Sequence, residues 1–178
     1  MAARTVIRRA LRSDSSGFIE LVLELAKFEK LVPPDGAARR RLVSDVFEKK
    51  RVHLIVAERD DMLVGYALYF FTYSSFLARP TLYLEDILVK EGYRGSGVGS
   101  ALFGRCVDEA DRLDCGRMEW AVLRWNSKAI GFYERLGAKS LQEWSTYRLT
   151  SDSISALTDK RKARAPTYRR QRTRSTRT

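Results

Sequence analysis

The sequence predicts a single α/β (α+β) domain, residues 1–157, followed by a short basic extension, 158–178, and three observations support this. Apolar residues recur at helical spacing between Phe18 and Phe47, and the period then becomes extended through segments 52–58, 62–71 and 82–89. The strand-like segment 83–89 passes through a basic, glycine-rich loop into another helical pattern. With 178 residues, 44% of them hydrophobic, the chain can bury one core.

In chain order, 5–8 reads as a short edge strand. Ser13 and Asp14 offer an N-cap for a first helix in which Phe18, Ile19, Val22, Leu25 and Ala26 share a face as far as Lys30. Pro33 and Pro34 cannot continue it. Leu42, Val43, Val46 and Phe47 mark the buried face of a second helix. Arg59, Asp60 and Asp61 separate two extended runs and read as a hairpin turn. A loop is expected over 72–80, the central strand over 82–89 and a further strand over 117–123. Segment 127–136 reads as a helix closed by Gly137, and 139–150, with Trp144 and Tyr147, as the strand that closes the sheet.

The junction at 83–103 carries the chemistry. Gly95, Gly97 and Gly99 let the backbone turn tightly and approach a ligand, because no Cβ intervenes. The first turn of the helix that follows has N–H groups without intrahelical partners, and the helix dipole adds positive charge there. With Arg94 as a charged donor, this is a seat for phosphate oxygens. It lacks the Lys-Ser/Thr of a P-loop and the spacing of a dinucleotide-binding strand turn.

The segment R-G-S-G-V-G-S-A-L, 94–102, has the R-x-x-G-x-G form of an acetyl-CoA pyrophosphate loop and resembles the GNAT acetyltransferases. A-V-L-R-W-N (121–126) and A-I-G-F-Y-E-R-L-G-A (129–138) resemble the next strand and helix of that family. L-A-K-F-E-K-L (25–31), G-Y-A-L-Y-F-F (65–71) and Y-L-E-D-I-L-V (83–89) resemble its diamine (spermidine/spermine) and thialysine N-acetyltransferase branch. Two positions depart from the branch: Arg124 stands where an acid is usual, and Phe28 where a tyrosine is common.

The resemblance implies a mixed, mostly antiparallel sheet flanked by helices, with a splayed central strand pair, and acetyl-CoA as cosubstrate. Backbone groups of Ile87, Leu88 and Val89 would pair with the pantetheine, aided by a bulge in that strand. Arg94, Gly95, Ser96, Gly97, Val98, Gly99 and Ser100 would hold the pyrophosphate, and Asn126, Ala129 and Tyr133 would reach the coenzyme from the following loop and helix. Acetyl transfer to an amine of ordinary pKa near 10.4 requires deprotonation, costing about 4.6 kcal/mol at pH 7. Glu85 is the candidate base, acting through water, and Tyr133 the candidate acid for the departing thiolate. Phe28, Glu29, Glu85 and Glu143 are the candidate acceptor-binding residues, the acids matching a cationic amine. Each has a plainer alternative: Glu85 a structural acid, Tyr133 and Phe28 core aromatics, Glu29 a solvated acid, Asn126 a helix cap. The resemblance also implies a homodimer.

No apolar run reaches the roughly 18 residues of a membrane span, and no secretory leader is visible in the first residues, so the expected compartment is the cytoplasm. Cys106 falls on an apolar helical stripe, Cys115 lacks metal-ligand spacing, and His53 opens a strand with no second candidate ligand nearby. The net charge of +11 belongs to the end of the chain. Residues 159–178 hold nine Lys/Arg and one acid (+8), leaving 24 against 21 (+3) for the rest. That extension is expected to be disordered and not to pack. A rival reading is a nucleic-acid-associated or protein (ribosomal-protein) acetyltransferase that uses Lys160 to Arg177 on phosphates, but with Tyr168 as its sole aromatic the extension is poorly suited to base stacking.

Overall fold

The computed structural model describes residues 4–164. The described residues fall into two compact units, divided between Asn126 and Ser127.

The first unit is a five-stranded sheet in the order β1-β2-β3-β4-β5, formed by β1 (Val6–Arg9), β2 (His53–Arg59), β3 (Met62–Ser74), β4 (Arg79–Val89) and β5 (Arg117–Trp120). Neighbours are antiparallel except for β4 and β5, which run parallel. Helix α1 (Ser15–Glu29) buries Phe18, Leu21, Leu25 and Ala26. These pack with Val46 of α2 (Gly36–Phe47) and with Leu54, Val56, Tyr66, Leu68 and Leu88 of the sheet. Helix α3 (Val98–Arg112) buries a second set, Val98, Leu102, Phe103, Cys106 and Ala110. Phe103 meets Trp120 of β5 edge to face at 5.4 Å.

Local chemistry explains the boundaries. Asp35 caps α2, its side chain accepting from the Ala38 N–H at 2.7 Å. Asp14 occupies the N-cap of α1 without capping it through its side chain, which accepts instead from the Leu11 N–H and the Arg8 guanidinium. The β2–β3 hairpin turns on Asp60 (φ 51°) and Asp61 (φ 58°), both left-handed, as a two-residue turn that follows the strand twist requires. At Gly65 any Cβ would stand 2.7 Å from the Leu88 carbonyl oxygen, so β3 and β4 approach this closely only with glycine there.

Two expectations about the sheet are corrected. The predicted loop 72–80 is mostly strand: β3 continues to Ser74, β4 begins at Arg79, and only 75–78 turn. Cross-strand packing extends the ladder, with Phe70 on Tyr83 at 5.2 Å. The predicted strand 139–150 is absent, and the further strand expected over 117–123 stops at Trp120. Residues 139–150 are exposed and make no ladder, because Trp144 and Tyr147 have no apolar face to alternate against.

In the second unit, α4 (Ser127–Arg135) ends at Gly137, whose φ of 87° lets the Ala138 N–H donate to the Tyr133 carbonyl at 3.1 Å. Helix α5 (Ser151–Arg164) is started by Thr150, whose hydroxyl accepts from the Ser153 N–H. It runs through the expected boundary at 157/158, so 158–164, expected to be disordered, are helical, and 158–163 are exposed. Lys and Arg are good helix formers and suit the negative end of a helix. The remainder of the basic extension lies outside the described residues. No helix among the described residues is long and apolar enough to cross a membrane.

Candidate active site

The loop between β4 and α3 has the form its composition implies. A short 3-10 turn, Glu91–Tyr93, precedes it. Gly95 (φ 78°) and Gly97 (φ 86°) are left-handed, and the Ser96 hydroxyl braces the turn by donating to the Tyr93 carbonyl at 2.6 Å. The loop is exposed, and Gly97 occupies the N-cap of α3 without any side-chain cap. The N–H groups of Val98, Gly99 and Ser100 in the first turn thus face outward at the positive end of a 15-residue helix, an arrangement suited to phosphate oxygens. The Arg94 Nε donates to the Val89 carbonyl at 2.9 Å, and its guanidinium lies over the Phe28 ring, 4.8 Å from the centroid.

The parallel β4–β5 ladder joins Thr81–Leu84 to Arg117–Trp120 and stops there. Among the described residues, β4 beyond Leu84 has a strand partner only on its β3 side, where Ile87, Leu88 and Val89 face Ala67, Tyr66 and Gly65. The end of this ladder, where β5 stops at Trp120, leaves a backbone edge of β4 able to accept an extended polar chain.

Glu85 follows Leu84, the last β4 residue paired with β5. The β3–β4 register passes from Tyr69↔Leu84 to Leu68↔Asp86, so Glu85 is an extra residue in a bulge. The bulge lies at Glu85, two residues before the 87–89 stretch. It reverses the parity of the strand: Leu84 is paired beside Tyr69, and Asp86, instead of following Leu84 to that face, comes up beside Tyr66 and Leu88 on the α1 face. Glu85 remains exposed and Asp86 is largely buried.

A second acid joins them from α1. Glu29 is the last residue of that helix, at its negative end, where an acid is electrostatically unfavourable. Burial pushes its carboxyl up. Burial also pushes Asp86 up to about 6, with Glu85 and Glu29 adding to the rise and a hydrogen bond from Tyr66 opposing it. The Tyr66 phenol donates to Asp86 Oδ2 at 3.2 Å and is itself pushed far up, by burial first and then by the charge of Asp86. No Lys, Arg or His among the described residues forms an ion pair with Glu29, Glu85 or Asp86. Phe28 is half-buried against the α1 core and touches Trp125 at 5.4 Å between ring centroids. The structure thus brings Phe28, Glu29 and Glu85 together with Asp86, Tyr66 and Trp125, three residues that the sequence reading did not select. The available signal was the pair of adjacent acids, since strict alternation would send them to opposite faces.

The remaining candidates are placed as follows. Asn126 ends the first unit, its N–H donating to the Leu123 carbonyl at 2.8 Å. In the second unit, Ala129 and Tyr133 lie on α4, and Glu143 is exposed in the segment after it. Tyr133 is buried, its ring 5.3 Å from that of Phe132, and burial raises its pKa, keeping the phenol protonated at neutral pH. Cys106 is fully buried and its thiol is pushed up to about 12 by burial and then by Glu109, so it is a packing residue. His53 stacks on Tyr69 at 5.1 Å, within an aromatic cluster.

Residues 19–138 match the model of the acetyltransferase (GNAT) family. Thialysine N-epsilon-acetyltransferase of Mus musculus is 36% identical over 167 residues, 87% of this chain and 98% of the mouse protein. L-ornithine N5-acetyltransferase of Arabidopsis thaliana is 43% identical over 98 residues, 55% of this chain and 43% of the plant protein. Among solved structures, an integron cassette protein from the mobile metagenome of V. cholerae superposes with a TM-score of 0.73 at 23% identity, covering 86% of this chain and 97% of that one.

Proposed function

This chain belongs to the acetyltransferase (GNAT) family, and we propose that it moves the acetyl group of acetyl-CoA directly onto a primary amine of a small cationic acceptor of the thialysine, ornithine or polyamine kind. The observation that carries the acceptor class is the convergence of Glu29, Glu85 and Asp86 with no cation of the described residues among them. Desolvated like charges repel, and an ammonium group between them relieves that cost. Phe28 and Trp125 supply an aromatic wall for the methylene chain of such an acceptor. Glu143 is a further candidate for a distal ammonium.

The coenzyme fits the residues present. The loop of Arg94, Gly95, Ser96, Gly97, Val98, Gly99 and Ser100 would hold its pyrophosphate and the edge of Ile87, Leu88 and Val89 its pantetheine; Asn126 and Ala129 are assigned to the coenzyme on family resemblance alone. When bound it supplies the activated acetyl thioester. Glu85 takes one proton from the acceptor's ammonium through water. The neutral nitrogen then attacks the thioester carbonyl carbon, while a backbone N–H of β4 donates to the carbonyl oxygen as it becomes anionic. The C–S bond breaks, and Tyr133 gives its phenolic proton to the thiolate. The second proton lost from nitrogen as the amide forms restores the phenol, and one net proton leaves to solvent through Glu85. Acetyl-enzyme formation is not required, since both substrates are held at once. A homodimer in the cytoplasm is the assembly and compartment that accompany this reading.

The test is a panel of acceptors, namely spermidine, thialysine, L-ornithine and tyramine, each incubated with acetyl-CoA while thiol release is followed. Turnover of one or more of spermidine, thialysine and L-ornithine, which carry at least two ammonium groups, with tyramine, which carries one, poor, is the expected result. Tyramine preferred over all of them would remove the acidic cluster from acceptor recognition.

A further inference from the structure

We propose that Tyr66 is a positioning residue for acceptor binding: its phenol holds Asp86 in place and in its ionised form, and Asp86 is the carboxylate against which the acceptor's ammonium docks. This rests on the reading of the chain as an amine acetyltransferase and adds to it a residue with no direct part in the transfer.

The geometry begins with the bulge. Because Glu85 is an extra residue, Asp86 enters the α1 face next to Tyr66, where apolar Leu68 and Leu88 are its neighbours on the sheet. A carboxylate in such surroundings is held only by a donor that does not compete for its charge. Tyr66 is that donor. Its ring is fully buried and fixed edge to face against Phe18 at 5.3 Å, so the phenol oxygen has no rotamer freedom to leave Asp86. The groups that face Asp86 are Tyr66 on β3, Glu29 on α1 and Glu85 on its own strand, two of them negative and the third neutral. Nothing among these supplies a positive charge. The hydrogen bond from Tyr66 occupies Oδ2 and leaves Oδ1 for a ligand. An ammonium there would be attracted by all three acids while touching the most desolvated of them.

The division of labour follows from exposure. Glu85, at the exposed bulge, is open to the water through which the proposed base would act. Asp86, largely buried, is suited to holding charge, and it loses that capacity as pH falls through about 6. Removing the phenol of Tyr66 withdraws the interaction that favours the ionised form, so that loss would begin at higher pH.

The experiment is calorimetric titration of spermidine, thialysine and L-ornithine into the full chain saturated with CoA, from pH 5 to 8, for wild type, Tyr66→Phe and Asp86→Asn. For the acceptor bound most tightly, wild-type affinity should fall below about pH 6 as Asp86 protonates. Asp86→Asn should bind about tenfold more weakly at pH 7 and show a flattened acid limb. Tyr66→Phe keeps the ring and its packing, and should move the acid limb to higher pH while approaching wild-type affinity at pH 8. Carbon-13 carboxyl shifts of labelled aspartate read the same titration without any ligand and should move up in Tyr66→Phe. Unchanged affinity in Asp86→Asn, a Tyr66→Phe curve that overlays wild type, or no binding of any of the three amines overturns the proposal. Thiol release assayed in parallel separates the two ideas, because the expected binding curves without acetyl transfer would sink the transfer chemistry and support the docking role.

Discussion

Arg94 lies with its guanidinium carbon 4.8 Å from the centroid of the Phe28 ring while its Nε donates to the Val89 carbonyl at 2.9 Å. One side chain therefore ties the glycine-rich loop to the end of α1, where Glu29 begins the acidic cluster, and to the end of β4. Planar stacking and a directed N–H together are what arginine offers and lysine does not. The two ends of the candidate site, coenzyme and acceptor, meet at this residue.

Arg94→Lys should accordingly raise KM for acetyl-CoA several-fold and Arg94→Gln about tenfold, with kcat changed far less. Steady-state kinetics with acetyl-CoA varied at saturating acceptor would show this. An unchanged KM in both variants would restrict Arg94 to stacking on Phe28, a contact worth about 0.5–1 kcal/mol at an exposed site.

Glu85→Gln removes the proposed proton acceptor at the bulge and leaves the backbone edge of 87–89 intact. The expected outcome is a fall of about 10²-fold in kcat, with acetyl-CoA affinity and melting temperature retained. Recovery of rate above pH 9, where a larger share of acceptor amine is already neutral, would support the base role. A flat deficit across pH would make Glu85 a structural acid.

Tyr133→Phe preserves the aromatic ring and deletes one oxygen. If the phenol protonates the departing thiolate, kcat falls about 10²-fold while acetyl-CoA binding and the thermal midpoint hold. Near-normal kcat, with chemistry shown to be rate-limiting, would leave Tyr133 as a packing residue on α4.

Asp86→Asn should stabilise the protein in the absence of ligand. Its carboxyl titrates near 6 in the folded chain, above its ordinary value, so the native state holds the extra proton and stability falls as pH rises from about 4 to 6. Asparagine does not titrate, and a gain on the order of 1 kcal/mol is expected at pH 7 but not at pH 4. Thermal melts at the two pH values check it.

Glu109 carries the opposite sign. It is 1% exposed on α3, and Arg9 reaches both its oxygens at 2.9 Å, with Arg105 at 3.0 Å and Arg112 at 2.7 Å. Burial favours the neutral form, and the hydrogen bonds from Arg9 and Arg112 overcome it, so the carboxyl is held below its ordinary value. Its contribution is present above the unfolded pKa, near 4.3, and is lost as pH falls through the lower folded value. Glu109→Gln leaves three guanidinium groups short of an anion and should cost about 2 kcal/mol or more at pH 7.

Local chemistry made the turn of the glycine-rich loop, the break between α1 and α2 at Pro33 and Pro34 and the hairpin at Asp60 and Asp61 legible, because glycine and proline preferences act within a few residues. It also carried the family, through motifs that are contiguous in the chain. Tertiary structure alone decided that 139–150 stay out of the sheet, that β3 and β4 lengthen toward each other, and that Glu109 is buried among arginines from β1 and α3. It decided the acidic cluster as well. Glu85 and Asp86 are adjacent letters, and which of them faces α1 depends on one extra residue in the β3–β4 register. Nothing local specifies that residue, because a bulge is chosen by the packing of both strands at once. Tyr66 is an apolar-strand tyrosine in the sequence and becomes the donor to Asp86 only when that register is set.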